Sequence, residues 1–204
     1  MMRSTWAIVP AKSLLRGKSR LRSVLGDDER ARFACLLLEH LLETLLACEL
    51  DGVLVATDGD DVASVAMSRG AHVLRDRGEG RLSEVVDRAL AHVASRGAEL
   101  AVVLMADLPR IEPSDVGSLI EALDGHDIAL VRDHVGHHTN ALALAPPTAI
   151  ATCFGQEDSF AAHLAAARAA GLCAVIVENE RIAFDVDLPE DHHELTTRRQ
   201  VAGT

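Results

Sequence analysis

Leu100-Ala-Val-Val-Leu-Met-Ala-Asp-Leu-Pro109 is an unbroken apolar run that stops on a carboxylate and a proline. A strand with one face in water alternates apolar and polar residues, whereas a strand covered on both faces is apolar throughout. The run therefore predicts a central strand with helices above and below it. Similar apolar stretches lie at residues 6–9, 52–56 and 72–74 before it, and at 127–131, 140–144 and 173–177 after it. Between them, helical periodicity marks residues 28–48, 60–69, 82–96, 114–123, 159–170 and 189–198. Strand and helix in alternation predict an α/β sheet with right-handed crossovers, mixed but mostly parallel, with helices on both faces.

The 204 residues suit one Rossmann-like domain spanning the whole chain, and no Pro- or Gly-rich linker divides it. Apolar residues make up 49% and aromatic residues only 2%, with no tyrosine, so the core must be aliphatic. A formal net charge of −11 argues against a nucleic-acid or anionic-membrane partner, because phosphate backbones are bound by clustered Lys and Arg. Cys35, Cys48, Cys153 and Cys173 are scattered, without metal-ligand spacing, and read as buried small hydrophobes. The apolar run near the start is too short for a secretory signal or a membrane span, which predicts a cytoplasmic location. Gly203 and Thr204 read as a frayed end, and the apolar C-terminal half is compatible with a homodimer.

In open α/β sheets ligands bind beyond the carboxyl ends of the strands, so chemistry is expected after Val9, Ala56, Met105 and Val131. Pro10-Ala-Lys-Ser-Leu-Leu-Arg-Gly-Lys-Ser-Arg-Leu21 follows the first strand and gathers Lys12, Arg16, Lys18 and Arg20 in an otherwise acidic chain. Such a loop can clamp a triphosphate, small side chains letting backbone amides approach while the cations neutralise a leaving pyrophosphate. It lacks the order of a P-loop, and a solvated basic loop is the competing reading. Asp58, after the second strand, is a further nucleotide-facing candidate.

Asp107 ends the most hydrophobic strand, where a hard oxygen ligand could hold Mg²⁺ between phosphates; a helix cap or turn is the alternative. Phe184-Asp185-Val-Asp187-Leu-Pro189 reads as a second acidic strand end. Its two carboxylates, two residues apart, would share a face and converge with Asp107 on one or two metal ions. Asp187 as the cap of the following helix competes with that reading. The adjacent pairs His137-His138 and His192-His193 diverge on helix and strand alike and do not suggest zinc. Thr139 and Asn140 close a polar loop running into an apolar strand, and Gly155 and Ser159 precede a helix whose N-terminus suits an anion. A hairpin turn at the first and a plain N-cap at Ser159 or Asp158 at the second are the alternatives.

In order, Val9-Pro-Ala-Lys12 with Lys18-Ser-Arg-Leu21, Ala106-Asp-Leu-Pro109, Thr139-Asn-Ala-Leu142, Phe154-Gly155 with Ser159 and His163, and Asp185-Val-Asp187 resemble the 2-phospho-L-lactate guanylyltransferase family. The resemblance implies the nucleotide-diphospho-sugar transferase type of fold. It also implies guanylyl transfer from GTP to 2-phospho-L-lactate, phosphoenolpyruvate or 3-phosphoglycerate, with Mg²⁺ as cofactor and pyrophosphate released, in deazaflavin coenzyme F-420 biosynthesis. By the same resemblance Asp107, Asp185 and Asp187 would hold metal and Lys12, Lys18 and Arg20 would face the nucleotide, with Asp107, Lys18 and Arg20 as the catalytic set. Thr139, Asn140, Gly155 and Ser159 would receive the acid. The resemblance also turns Gly80 and Ser83 to the nucleotide, although this chain departs from the family at Gly80-Arg-Leu-Ser83, where Gly-Leu-Asn is usual, and at Gly136-His-His-Thr139-Asn140, where Gly-Thr-Gly-Thr-Asn is usual. Two rival readings are a nucleotidyltransferase of the same fold with a larger acceptor, of molybdopterin-guanine or sugar-phosphate type, and a non-catalytic nucleotide-binding paralogue.

Overall fold

A computed structural model describes residues 3–76 and 80–202. Gly203 and Thr204 lie outside the described residues. Seven strands, β1 (Thr5–Pro10), β2 (Gly52–Thr57), β3 (His72–Arg75), β4 (Leu100–Leu104), β5 (Ile128–Arg132), β6 (Thr139–Leu144) and β7 (Ala174–Ile176), form one sheet in the order β3-β2-β1-β4-β6-β5-β7. All neighbours run parallel except β6, which is antiparallel to both β4 and β5. The reversal brings the start of β6 to the edge where the other strands end.

Helices α1 (Asp27–Leu46), α2 (Asp60–Ser68), α3 (Leu82–Ser95), α4 (Pro113–Glu121), α5 (Ser159–Ala169), α6 (Glu180–Ala183) and α7 (Pro189–Ala202) join the strands. The β4 run explains the layering. Leu100, Val102 and Leu104 point into a core shared with α1, α2 and α4, while Ala101 and Val103 point into a second core with α3 and α5. Side chains alternate across a strand, so a sheet covered on both faces needs apolar residues at every position. Each fully buried Leu stabilises this arrangement by about 2 kcal/mol.

A third, smaller cluster sits at the functional edge. Leu21, Phe184, Val186 and Leu195 pack together, tying the loop after β1, the segment before α7 and α7 itself into one unit. The reading of the cysteines as buried is wrong: Cys35, Cys48 and Cys153 are half-buried and Cys173 is exposed. At Cys173 both backbone groups are taken up by Asp127, at 2.9 and 2.8 Å, on the way into edge strand β7, and the side chain is left outside. No helix among the described residues is long and apolar enough to cross a membrane.

Candidate active site

The loop after β1 is built by its neighbours. Ser13 N–H donates to Asp58 Oδ1 at 3.2 Å, while Ser13 Oγ and Leu14 N–H donate to Asp61 Oδ2 at 3.0 and 2.8 Å. Arg16 pairs with Asp58. Gly59 makes this approach feasible, because a Cβ there would lie 2.7 Å from Ser13 Cα. Arg30, buried on α1, donates to the Gly17 carbonyl at 2.9 Å. Lys18 takes a left-handed backbone at φ 52°, which costs a side-chain-bearing residue about 1 kcal/mol and turns its ammonium inward. The sequence called for nucleotide contacts at Asp58; its carboxylate lines the cavity but already serves Ser13 and Arg16.

Lys18 Nζ lies 2.6 Å from Asp107 Oδ2 and 3.1 Å from Asp187 Oδ1, and Arg20 Nη1 lies 3.2 Å from Asp187 Oδ2. Burial opposes the charge on Lys18, but Asp107 and Asp187 outweigh it and hold its pKa above the ordinary lysine value. One oxygen from each of Asp107, Asp185 and Asp187 lies within 4.8 Å of the others. Asp107 Oδ1 is buried without a hydrogen-bond partner among the described residues. A buried carboxylate oxygen left unpaired beside two further carboxylates fits a divalent cation, which would satisfy that oxygen and offset their mutual repulsion.

The segment carrying Asp185 and Asp187 is not the strand that the sequence suggested. It is an extended arm outside the sheet, because Val186 N–H donates to the Asp107 carbonyl at 3.3 Å and Phe184 and Val186 are drawn into the small cluster. Arg110 lies 3.5 Å over the Phe184 ring and covers it. With Val186 turned into that cluster, the carboxylates on either side reach Asp107 all the same. The cap alternatives lapse. Asp191, not Asp187, accepts from Asp187 N–H and Leu188 N–H at 3.0 and 2.7 Å, and α4 begins from Glu112 rather than Asp107. Burial first, then the nearby Asp107 charge, pushes Asp185 up to about 6, despite an Asn140 Nδ2 hydrogen bond at 3.2 Å. His134, which the sequence reading did not single out, stands between Asp185 and Asp191 at 3.3 and 3.2 Å. No motif announces it; it is placed by the loop between β5 and β6.

That loop is closed by Asp133, whose Oδ1 accepts from the N–H groups of Gly136, His137 and His138 at 2.8, 2.8 and 2.9 Å. Burial alone would raise the Asp133 pKa; these donors hold it below the usual range instead. His138 Nδ1 sits 3.1 Å from Asp133 Oδ2. Asn140 braces the arm, its Nδ2 donating to the carbonyls of Ile182 and Ala183 at 3.0 and 3.1 Å. Ser159 is not the cap of α5. Asp158 accepts from Ala161 N–H at 3.0 Å, while Ser159 Oγ accepts from Thr139 N–H at 3.1 Å. Gly155 turns the chain at φ +82°. His163 is fully buried, and burial lowers its pKa to about 4 against a smaller opposing effect of the Ser159 backbone.

Two cavities meet over these groups. One of about 430 Å³ is lined by Pro10, Lys12, Arg16, Lys18, Asp58 and Gly80, among others. The other, about 330 Å³, is lined by Thr139, Asn140, Gly155, Ser159 and Asp185, and also by Arg20, which was expected on the nucleotide side but reaches Asp187 from this one. Leu82, Met105, Asp107 and Asp187 line both. Ser83 lies apart on the first turn of α3, its carbonyl accepting from Thr152 Oγ1 at 3.3 Å. The two cavities thus adjoin along a seam that carries Asp107 and Asp187.

The family model described as Guanylyl transferase CofC like matches residues 5–200. A phosphoenolpyruvate guanylyltransferase of Sphaerobacter thermophilus is 38% identical over 98% of this chain and 97% of its own. A 3-phospho-D-glycerate guanylyltransferase of Phenylobacterium zucineum is 32% identical over 91% and 86%. A 2-phospho-L-lactate guanylyltransferase of Methanothermobacter thermautotrophicus is 29% identical over 94% and 83%. Among solved structures, a Desulfovibrio desulfuricans G20 protein named as a nucleotide-diphospho-sugar transferase superposes with TM-score 0.78 at 18% identity, over 95% of this chain and 87% of that one. CMP:2-keto-3-deoxy-manno-octonic acid synthetase superposes with TM-score 0.68 at 16% identity, over 98% and 99%. At such identities these structures speak for the fold.

Proposed function

The chain belongs to the CofC-like guanylyl transferase family, and on that premise we propose that it joins GTP to a small phosphorylated carboxylic acid in coenzyme F-420 biosynthesis. A phosphate oxygen of the acid attacks the α-phosphorus of GTP. The bond from that phosphorus to the bridging oxygen breaks, and its electron pair leaves with pyrophosphate. The observation that carries this reading is the meeting of the two cavities at Asp107 and Asp187.

The larger cavity takes the nucleotide, with Lys12 and Arg16 at its mouth and Lys18 at its base. These cations neutralise charge building on the pyrophosphate, while the fixed loop spares reorganisation during the reaction. In the smaller cavity Thr139, Ser159 and the backbone around Gly155 face the acid's anionic groups, while Asn140 holds Asp185 in place. Holding both substrates in line accounts for most of what such an enzyme must do. Asp107, Asp185 and Asp187 would hold Mg²⁺, which would supply Lewis-acid neutralisation of the phosphate oxygens. The higher identity to the enzyme named for phosphoenolpyruvate favours that acid as acceptor. The enzyme works in the cytoplasm, without a membrane or nucleic-acid partner.

The test is pyrophosphate release from GTP and Mg²⁺ with phosphoenolpyruvate, 2-phospho-L-lactate and 3-phosphoglycerate offered separately, and with ATP and CTP in place of GTP. Release that depends on GTP and one of these acids is expected. Silence with all three would reject the acceptor class and favour the non-catalytic alternative.

A further inference from the structure

We propose that His163 is a positioning residue that fixes the Thr139 hydroxyl as a hydrogen-bond donor to the acceptor acid; this rests on the reading of the smaller cavity as the acid's seat. His163 stands on α5 and is packed edge-on against Phe154, ring centroids 4.7 Å apart. Its Nε2 lies 2.8 Å from the backbone N–H of Cys153. That group can only donate, so Nε2 accepts, and the proton of the neutral ring belongs on Nδ1.

Nδ1 lies 3.0 Å from Thr139 Oγ1. Since Nδ1 carries the proton, shared between Thr139 Oγ1 and the Ser159 carbonyl, the hydroxyl cannot donate to the ring and its own proton is left to point elsewhere. Ser159 Oγ is in the same position, because it accepts from Thr139 N–H. Both side chains are 2% exposed, and both line the smaller cavity. The result is a pair of hydroxyl groups each left with a proton to donate, which is what a carboxylate or phosphate oxygen requires. In the other tautomer Thr139 would direct its proton at Nδ1 and turn lone pairs toward an anion. Choosing the tautomer through Cys153 therefore sets the polarity of the seat from outside it.

Four measurements test this. Long-range ¹H–¹⁵N correlation on the wild-type protein is expected to show His163 protonated at Nδ1 with Nε2 as acceptor; the reverse tautomer overturns the proposal whatever the variants do. At saturating GTP, His163→Leu is expected to raise KM for phosphoenolpyruvate about tenfold, with KM for GTP within about twofold of wild type. His163→Gln, whose amide can accept from Cys153 and donate to Thr139, is expected to recover most of that loss. Thr139→Val separates the two layers of the argument. A rise in the acid's KM with Thr139→Val but not with His163→Leu overturns the role of His163 alone. An unchanged KM with Thr139→Val removes the acid seat on which the proposal rests.

Discussion

Lys18→Met removes one ammonium from the acidic site at nearly constant side-chain length, and both residues carry a Cβ, so the left-handed backbone costs the same in each. In the metal-free protein that ammonium holds Asp107 at 2.6 Å and Asp187 at 3.1 Å. Breaking a buried ion pair by deleting one partner costs about 3–5 kcal/mol. Lys18 is 9% exposed and Asp107 22%, so the lower end applies to that pair, while Asp187 at 42% is screened by solvent and adds little. For a chain of this size each kcal/mol lowers Tm by about 2–4 °C, so a fall of roughly 6–12 °C is expected in EDTA. Millimolar Mg²⁺ should then return more to the variant than it adds to the wild type, because in the wild type the ammonium competes for the same carboxylates. Thermal melts of both proteins in EDTA and in Mg²⁺ measure this. Equal Tm values in EDTA, or an equal Mg²⁺ increment in both proteins, would refute the reasoning.

Asp107→Asn should lower pyrophosphate release by about 10²-fold or more while the protein still folds, and should abolish the Mg²⁺ increment in Tm; wild-type turnover would remove Asp107 from the site. Gly59→Ala forces a Cβ to within 2.7 Å of Ser13 Cα. It should lower stability by about 1–3 kcal/mol and raise KM for GTP as the basic loop shifts, whereas unchanged melts and KM would show that the loop can yield. With pH the two perturbed groups act in opposite senses. Asp185, raised to about 6, contributes stability at low pH that is lost as pH rises through 6, whereas His163, lowered to about 4, contributes stability above 6.5 that is lost as pH falls through 4. The Mg²⁺ increment isolates Asp185: it should shrink from pH 7.5 to pH 5 as protons compete for that carboxylate, and a pH-independent increment would contradict the assignment.

The sheet was legible because both of its faces are covered. That cover writes itself into unbroken apolar runs such as Leu100–Leu104, and the helical periods between them follow from packing on one side. Asp107, Lys18 and Arg20 were legible because each lies next in sequence to a strand end or within a basic cluster. The arm at residues 184–187 was misread as a strand because its inward and outward alternation imitates one, although Val186 packs with Leu21 and Leu195 rather than in the sheet. His134, Asp61 and Arg30 were missed because each is defined by a partner distant in sequence, Asp185, Leu14 and Gly17 respectively. Ser83 came from the family resemblance, but it lies on the first turn of α3 and lines neither cavity. The cysteines were taken for core residues on chemical type alone, without the register that leaves Cys173 outside.

The reversed strand β6 divides the enzyme into two inheritances. Everything proposed to grip the nucleotide comes before Asp107 in the chain, apart from Asp187, and Thr139, Gly155 and Ser159, proposed to face the acid, come after it, beginning where β6 starts. Substitutions in the second half can then retune the acceptor while the triphosphate clamp stays untouched. Relatives named for three different acids across one shared architecture are what such a division of labour would leave behind. A chimera carrying the second half of one relative behind residue 107 of this chain should inherit its acceptor from the graft and its nucleotide from the host.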